Sequence, residues 1–419
     1  MSFSKPIFIS LSPNIQKDDF WLALKLIFSP WKWKRGRGVA GLEEKFRNYL
    51  AVNNAFSFNS GRSAFMAILK SLELEKGSEV LLQAFTCNAA VNPIIWSGLK
   101  PIFVDIEKET LNMDPTDLER KITANSRAVL VQHTFGFPAK IDEISEICQK
   151  HNLVLIEDCA HSLGAEYKGR KIGTFGRASF SSFGRDKIIS SVYGGMAVSN
   201  DPVLAERIEK IQKDYKYPSG GWVFQQLLHP ILIKILVMPF YNFLGLGKFF
   251  LIGLQKLGII SKAVTKGEKQ GIMPGYFPKK MPNGLAVLAL QQLNKIDEFN
   301  EHRRRISELY QQGLKESNFH LLGSGENERK NIYMRFPILS KSNESDKILK
   351  YFQKQNIFLD DGWRKSAIVP IGTNIDRMNY IKGSCPAAED IARGIINLPT
   401  HINISLNTAE KIINLLKGF

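Results

Sequence analysis

The sequence predicts an α/β fold: a large, mostly parallel sheet domain, a smaller α+β domain after it, and an apolar, basic insertion between the two. Three observations lead there. Between residues 79 and 162 short apolar runs alternate with segments of helical period, the pattern of parallel strands covered by helices on both faces. At 419 residues the chain exceeds what one small core holds. One long stretch, residues 217–274, interrupts the alternation with Leu, Ile and Phe interspersed with Lys.

The elements follow in order. After a basic, aromatic opening, "GLEEKFRNYLAV" has the spacing of an amphipathic helix, and "SGRSAFMAILKSLEL" that of another entered through a Ser-Gly turn. "EVLLQAF" is a strand, "CNAAVNPIIWSG" a helix closed by glycine, "KPIFVDI" a strand, and "DPTDLERKI" a helix with an Asp-Pro start. "RAVLVQHTFG" is a strand, "KIDEISEICQKHN" a helix, and "LVLIEDCAHS" a strand running into a polar turn. "LAVLALQQLNKIDEF" is a helix beyond the insertion. From about residue 297, "NEHRRRISELYQQGL", the strand-like "IYMRFPIL" and the closing "LNTAEKIINLLKGF" give the small domain. The expected division is 1–296 for the large domain and 297–419 for the small one.

Composition narrows the class. Cys87, Cys148, Cys159 and Cys385 are scattered and form no CxxC pair, so neither a zinc site nor a disulfide framework is expected, and no metal. The opening residues lack a charged n-region, a long h-region and a cleavage site. A cytoplasmic location is expected. The formal charge of +16 is local: residues 20–42 carry five basic residues and no acid, and residues 216–280 carry nine lysines against Glu268.

Candidate chemistry sits at strand ends, where ligands of such sheets gather. Asp158 closes the apolar run "LVLIE"; a buried carboxylate there is either hydrogen-bonded structurally or faces a ligand cation. Gly61 and Ser63 open a helix, where free N–H groups and the dipole favour an anion, although a glycine at a helix start is more often only a turn. Lys187 stands between an aromatic-serine segment and a glycine pair in "SSFGRDKIISSVYGG", while most lysines are simply solvated. Together the three meet the needs of pyridoxal phosphate: a lysine to bond the aldehyde carbon, an acid for the pyridine nitrogen, and an anion cradle.

At these residues the sequence resembles the DegT/StrS family of pyridoxal phosphate-dependent sugar aminotransferases, whose fold is fold type I. Six landmarks carry the resemblance in order: "SGRSAFMAIL", "LKPIFVDIEKETLNMDP", "HTFGFPAKIDEI", "IEDCAHSLGAEYKGRKIGTFG", "SSFGRDK" with "GGMAVSND", and "CPAAEDIARGIINLPTHINIS". The resemblance implies that Lys187 bonds the cofactor, that Asp158 pairs with the pyridine nitrogen, and that His161 lies beside the ring. It implies phosphate contacts from Ser182 and from the turn at Gly61, Arg62 and Ser63, with Arg62 standing where Thr or Ser is usual. It implies a homodimer, a keto-sugar acceptor and an amino-acid donor, commonly glutamate.

Three places depart from the family pattern. Cys87 takes the place of an aromatic that stacks on the ring, with Phe85 or Thr86 as alternatives. Val192-Tyr193-Gly194-Gly195 replaces a GEGG motif. "FPKK", residues 277–280, replaces a "YNYR" segment that in the family reaches the neighbouring subunit's cofactor phosphate, leaving Lys279 or Lys280 to neutralise that phosphate. Trp363 and Arg364, in "FLDDGWRKSAIVP", fall where members shape the substrate pocket.

The insertion, 217–274, has no family counterpart. Lys234, Pro239, Lys248 and Lys256 interrupt it, so no uninterrupted spanning segment is expected. Leu, Ile and Phe with interspersed Lys, and the tryptophans Trp21, Trp31 and Trp33, fit helices lying in an anionic membrane interface. A helical hairpin buried between subunits would also cover apolar faces. A nucleic-acid partner is not expected, because so apolar a segment is poor material for a phosphate groove.

The functional expectation is a cytoplasmic aminotransferase of glycan biosynthesis, peripheral at the inner face of a membrane, acting on a nucleotide- or lipid-linked keto sugar. Two rivals stand beside it. Cofactor-dependent sugar dehydration is one, against which Lys187 argues, since relatives doing this carry histidine there. A non-catalytic, membrane-attached binding protein that kept the fold is the other.

Overall fold

The computed structural model describes residues 6–241, 245–323, 328–340 and 344–419. Residues 1–5 of the expected large domain, 242–244 of the insertion, and 324–327 and 341–343 of the small domain lie outside the described residues.

The apolar runs become strands β1 (Ala55–Phe58), β2 (Glu79–Gln83), β3 (Lys100–Val104), β4 (Ser126–Gln132), β5 (Val154–Asp158), β6 (Ala178–Ser182) and β7 (Gly195–Val198). They form one sheet in the order β1-β7-β6-β5-β4-β2-β3. All neighbours are parallel except β7, which runs against both β1 and β6. Because β5 lies in mid-sheet, its last residue, Asp158, is flanked by Phe180 on one side and Gln132 on the other. The expected α/β fold with a mostly parallel sheet is what forms.

Helices α1 (Lys17–Ile27), α2 (Gly38–Leu50), α3 (Gly61–Ser71), α4 (Asn88–Trp96), α5 (Pro115–Lys121), α6 (Ile141–Lys150) and α7 (Pro202–Asp214) cover the faces. The helix closest to the chemistry is α3. Ser60 caps it, its Oγ accepting the Ser63 N–H at 3.0 Å, and nearly every residue from Gly61 to Leu69 is buried. Phe65 of α3 stacks on Phe180 of β6 with ring centroids 4.7 Å apart; removing such a buried ring costs about 3–5 kcal/mol.

The insertion supplies α8 (Gly220–Leu232) and α9 (Leu246–Lys256). Contrary to the expected interruption, α8 continues through a π-helical segment, Ile233–Val237, and a last turn to Phe240, giving 21 helical residues apolar enough to cross a membrane by length and composition. A single lysine, Lys234, does not end a helix, and Pro239 lies just past the π-helical segment, with helical backbone on both sides. One side of this run is core: Val223, Leu227, Ile231 and Val237 are buried, and α8 packs along α1.

The expected helix "LAVLALQQLNKIDEF" divides at Asn294 into α10 (Asn283–Leu293) and α11 (Ile296–Leu314). The three-stranded antiparallel sheet β8 (Phe319–Leu321), β9 (Arg335–Ser340) and β10 (Ile395–Pro399) is flanked by α12 (Ser345–Lys354), α13 (Pro386–Gly394) and α14 (Leu406–Leu416). Two buried clusters result. The larger belongs to the main sheet and takes in Trp363, Ile368, Met378 and Ile391; the smaller joins α11, α12, α14 and the small sheet. The segment around 363–395 therefore packs on the main sheet, although it lies in the C-terminal part of the chain.

Candidate active site

The lysine loop leaves β6 at Ser182 and returns at β7. It is held from outside: Asn14 donates through Nδ2 to the carbonyls of Lys187 (2.6 Å) and Ile188 (3.1 Å), and Arg303 donates to the same Ile188 carbonyl at 2.9 Å. With its backbone fixed, Lys187 directs Nζ to within 2.9 Å of Nε2 of His161.

Asp158, at the end of β5, is 5% exposed and accepts the Ala160 N–H at 2.9 Å. Burial pushes its carboxyl up to about 6, against the pull of that hydrogen bond and of Lys187. His161 is held well below its usual range by burial, with the Lys187 and Arg335 cations adding to the effect. It is a neutral imidazole, stacked on Phe135 (centroids 5.7 Å, interplanar angle 14°) and edge-on to Trp363 at 4.9 Å. Phe135 reaches this position with φ at +50°, a left-handed conformation that costs a non-glycine residue about 1 kcal/mol or more.

The anion cradle forms where α3 meets β7. A Cβ built on Gly195 would lie 2.4 Å from the Gly61 nitrogen, and one on Gly61 would lie 2.9 Å from Cβ of Ser182. Glycine at both positions lets the backbone close around the first turn of α3, beside Ser182. Ser63 is committed to capping, its Oγ bonded to Asn59 Oδ1 at 2.7 Å and to Ser60 Oγ at 2.9 Å.

Two arginines reach this cradle, and a strap from the insertion handles both. Arg62 forms an ion pair with Glu268, which is 1% exposed, and its Nη2 donates to the Ala263 carbonyl at 2.9 Å. The guanidinium expected to meet the phosphate is thus already neutralised, which leaves the backbone N–H groups at this position for the anion. Arg185 is 8% exposed, donates through Nη2 to Ser261 Oγ at 2.5 Å and lies over the Tyr193 ring. Among the described residues it has no carboxylate partner, and its buried Nε meets no acceptor. It carries the unpaired positive charge at the cradle. Glu268 is anchored further through its carbonyl, which accepts from Asn92 Nδ2 at 2.9 Å.

Trp363 is brought to the site, 5% exposed and edge-on to Phe85 and Phe135 as well as His161. Arg364, 9% exposed, is not: its guanidinium is taken by the exposed carboxylates of Asp346 at 2.5 Å and Asp360 at 3.3 Å. The arginine that does arrive is Arg335, 1% exposed, paired with Asp186 at 2.7 Å and Asp361 at 2.8 Å and lying over Phe135. Lys280 does not reach the cradle of its own chain; the resemblance assigns it to the neighbouring subunit's. "FPKK" runs beside the end of β1, but the Lys280 ammonium donates to the Lys213 carbonyl at 2.6 Å. Cys87 caps α4, its Sγ accepting the Ala89 N–H at 3.5 Å; burial pushes its thiol up, opposed by that hydrogen bond and by the nearby Lys187 and Arg62 charges.

These residues fit pyridoxal phosphate. A lysine amine, a buried strand-end carboxylate and a glycine-lined helix N-terminus converge, and a buried guanidinium with an unused donor stands at the cradle. Behind Asp158, His133, Glu157 and Cys159 cluster closely enough to hold a metal ion. Their donors are engaged instead: Glu157 accepts the N–H groups of Gly173, Phe175 and Gly176, and His133 lies between Glu157 and the Ala139 N–H. The cluster buttresses β5.

Sequence reading missed Arg185, Glu268, Arg335 and Phe135. Only Arg185 left a local signal, a second cation two residues before Lys187.

The chain matches the DegT/DnrJ/EryC1/StrS aminotransferase family over residues 14–219 and 252–417; the unmatched gap, 220–251, takes in α8, its continuation and the first half of α9, and is narrower than the expected insertion of 217–274, whose end the family model covers. It is 28% identical to a GDP-perosamine synthase of Escherichia coli O157:H7 over 90% of this chain and 88% of that protein. It is 35% identical to an L-glutamine:2-deoxy-scyllo-inosose aminotransferase of Streptomyces kanamyceticus, over 42% of this chain and less than half of that relative's length. In fold it is similar to PseC of Helicobacter pylori, an aminotransferase involved in pseudoaminic acid biosynthesis, with a TM-score of 0.76 and 22% identity, covering 99% of this chain and all of that one. The chain is therefore an enzyme of the DegT/DnrJ/EryC1/StrS aminotransferase family, with its lysine loop, strand-end aspartate and glycine cradle in place and a helical insertion of its own.

Proposed function

We propose that this enzyme moves an amino group from an amino acid, glutamate in the first instance, to a keto sugar carried on a nucleotide or a lipid, in the assembly of a glycan. The observation that carries the reading is the convergence of Lys187, neutral His161 and buried Asp158 on the glycine cradle. GDP-perosamine synthase, by its name, works on a nucleotide-linked sugar, which supports the acceptor class.

Bound pyridoxal phosphate supplies an electron sink that makes a proton on the carbon bearing nitrogen removable. The chain does the rest. Asp158, as a carboxylate, holds a cationic ring nitrogen at the end of β5. The backbone at Gly61 and Arg62, the Ser182 hydroxyl and Arg185 hold the phosphate. Lys187 Nζ is the group that takes and returns protons at the reacting carbon, and His161 orients it from 2.9 Å. Phe135, Trp363 and Phe85 would exclude water around His161.

The reading includes a homodimer as the working unit, supported by the family resemblance, and a cytoplasmic, membrane-peripheral location, supported by the exposed apolar and basic side chains of α1 and α9. Reconstituting purified protein with pyridoxal phosphate and following its visible absorption tests the chemistry. A band that is absent from Lys187→Ala and shifts on adding glutamate is expected; its absence from wild type would overturn the reading.

A further inference from the structure

Away from the pocket, the described surface carries an unusual set of uncovered side chains. Trp21 of α1 is 64% exposed, Phe28 at its C-cap is 73% exposed, and Trp31 just beyond is 72% exposed. Trp21, Lys25 and Phe28 stand at i, i+4 and i+7, so they line one helix face. On α9, Phe249, Ile252 and Lys256 line a face in the same way, with Phe249 70% exposed. Both helices attach to the run 220–240, α1 packing along α8 and α9 folding against its continuation.

Charge indicates what covers these faces. Residues 20–42 have no acid, and the one acid in 216–280, Glu268, is buried against Arg62. Both segments therefore present only cations to the outside, and the exposed acid in the first turn of α1, Asp18, is paired with Lys295. A second copy of this chain would set those cations against their like, and protein interface cores are depleted in lysine. An anionic bilayer meets both features, taking tryptophan at the headgroup level and lysine toward the phosphates. The run 220–240 does not leave the protein to span it: Gln226 and His229 face inward, and His229 is bonded to Ser12 Oγ at 2.8 Å.

We propose that the exposed faces of α1 and α9 dock, without spanning, into the interfacial layer of an anionic membrane. Resting on the aminotransferase reading, the acceptor is a keto sugar on a lipid phosphate drawn from that membrane. Ser261 and Ala263, which seat Arg185 and Arg62, follow the end of α9 at Lys256. Five residues, even fully extended, span roughly 18 Å, so the docked helix lies near the cradle.

The test sediments the full-length protein with vesicles of phosphatidylcholine alone or mixed with phosphatidylglycerol. Wild type is expected to bind the mixed vesicles, and to bind neutral ones about tenfold more weakly or worse. The triple variant Trp21→Ser, Phe28→Ser, Trp31→Ser should lose binding to the mixed vesicles to a similar degree. Ile381→Ser, which alters a 74% exposed residue elsewhere, should bind as wild type. Absence of binding, equal binding to neutral vesicles, or an unaffected triple variant overturns the docking. So does a halved particle mass for the triple variant by light scattering without lipid, which would assign the face to a second copy. Amination of a nucleotide-linked but not a lipid-phosphate-linked keto sugar overturns the acceptor and leaves docking intact. A protein that docks but takes up no pyridoxal phosphate overturns the aminotransferase reading alone.

Discussion

Nζ of Lys187 lies 2.9 Å from Nε2 of His161, and that imidazole is itself wedged between Phe135 and Trp363. The lysine is thus aimed by a ring that cannot turn. Lys187→Ala should lose the cofactor's visible band and about a thousandfold or more in kcat, within the range for a lost proton-transfer group. His161→Phe should keep the band but turn over about tenfold more slowly, with KM little changed. A band lost in His161→Phe would mean that the ring holds the cofactor rather than the lysine.

The pH behaviour of Asp158 has a definite sign. Burial raises its folded-state value to about 6 from an ordinary value of 3.8, so the folded cofactor-free protein holds this proton more tightly than the unfolded chain. Ionising it costs stability, a cost absent below pH 4 and complete above pH 6. Cofactor-free Asp158→Asn should therefore exceed wild type in stability at pH 8 by on the order of 1–3 kcal/mol, with the gap closing on acidification. Thermal melts across that range measure it; parallel curves would show that the carboxylate is better solvated than its burial implies.

Arg62 and Glu268 stand or fall together. Arg62→Met strands a buried carboxylate and should cost about 3–5 kcal/mol in denaturant unfolding. Adding Glu268→Leu to that variant should recover most of the loss. If the double variant is no more stable than the single one, the two side chains are not coupled.

Arg185, in contrast, should matter for phosphate rather than for stability. Arg185→Gln should narrow the preference for pyridoxal phosphate over pyridoxal by about 10- to 100-fold, the worth of one charge-assisted hydrogen bond. Fluorescence titration with both ligands gives the ratio directly. An unchanged ratio would assign the phosphate to other groups.

At the acceptor end, Trp363→Ala should raise the acceptor KM several-fold, whereas Arg364→Ala, which frees two exposed acids of the small domain, should leave kcat/KM within about twofold. Steady-state kinetics on both variants decides which of the adjacent side chains faces the pocket.

The sheet and the groups at its strand ends were legible because they are local. Lys187, Asp158 and the Gly61 turn each sit in a frame of a few residues whose spacing fixes where they point. Arg185, Arg62 and Arg335 were not legible in the same way, because their environments are set by partners 76, 206 and 149 residues away. Sequence points to Arg364, beside Trp363, and not to Arg335; only packing shows that Arg335 is locked between Asp186 and Asp361 under Phe135 while Arg364 pairs with exposed acids. The break between α10 and α11 escaped notice because both flanks keep helical periodicity across Asn294.

The strap that ends the insertion changes how the family scaffold could acquire this part. Helices α8 and α9 read as a removable module, yet the residues that follow them close the cradle through Ser261, Ala263 and Glu268. Those residues lie inside the region the family model matches, so a graft of residues 220–251 alone would leave behind the acid that pairs with Arg62 and the hydroxyl that meets Arg185. The hairpin and the cradle are separable in sequence but joined in space, so exchange of residues 220–251 between enzymes leaves "SGR" and "GRDK" with their partners only while the strap that follows is kept.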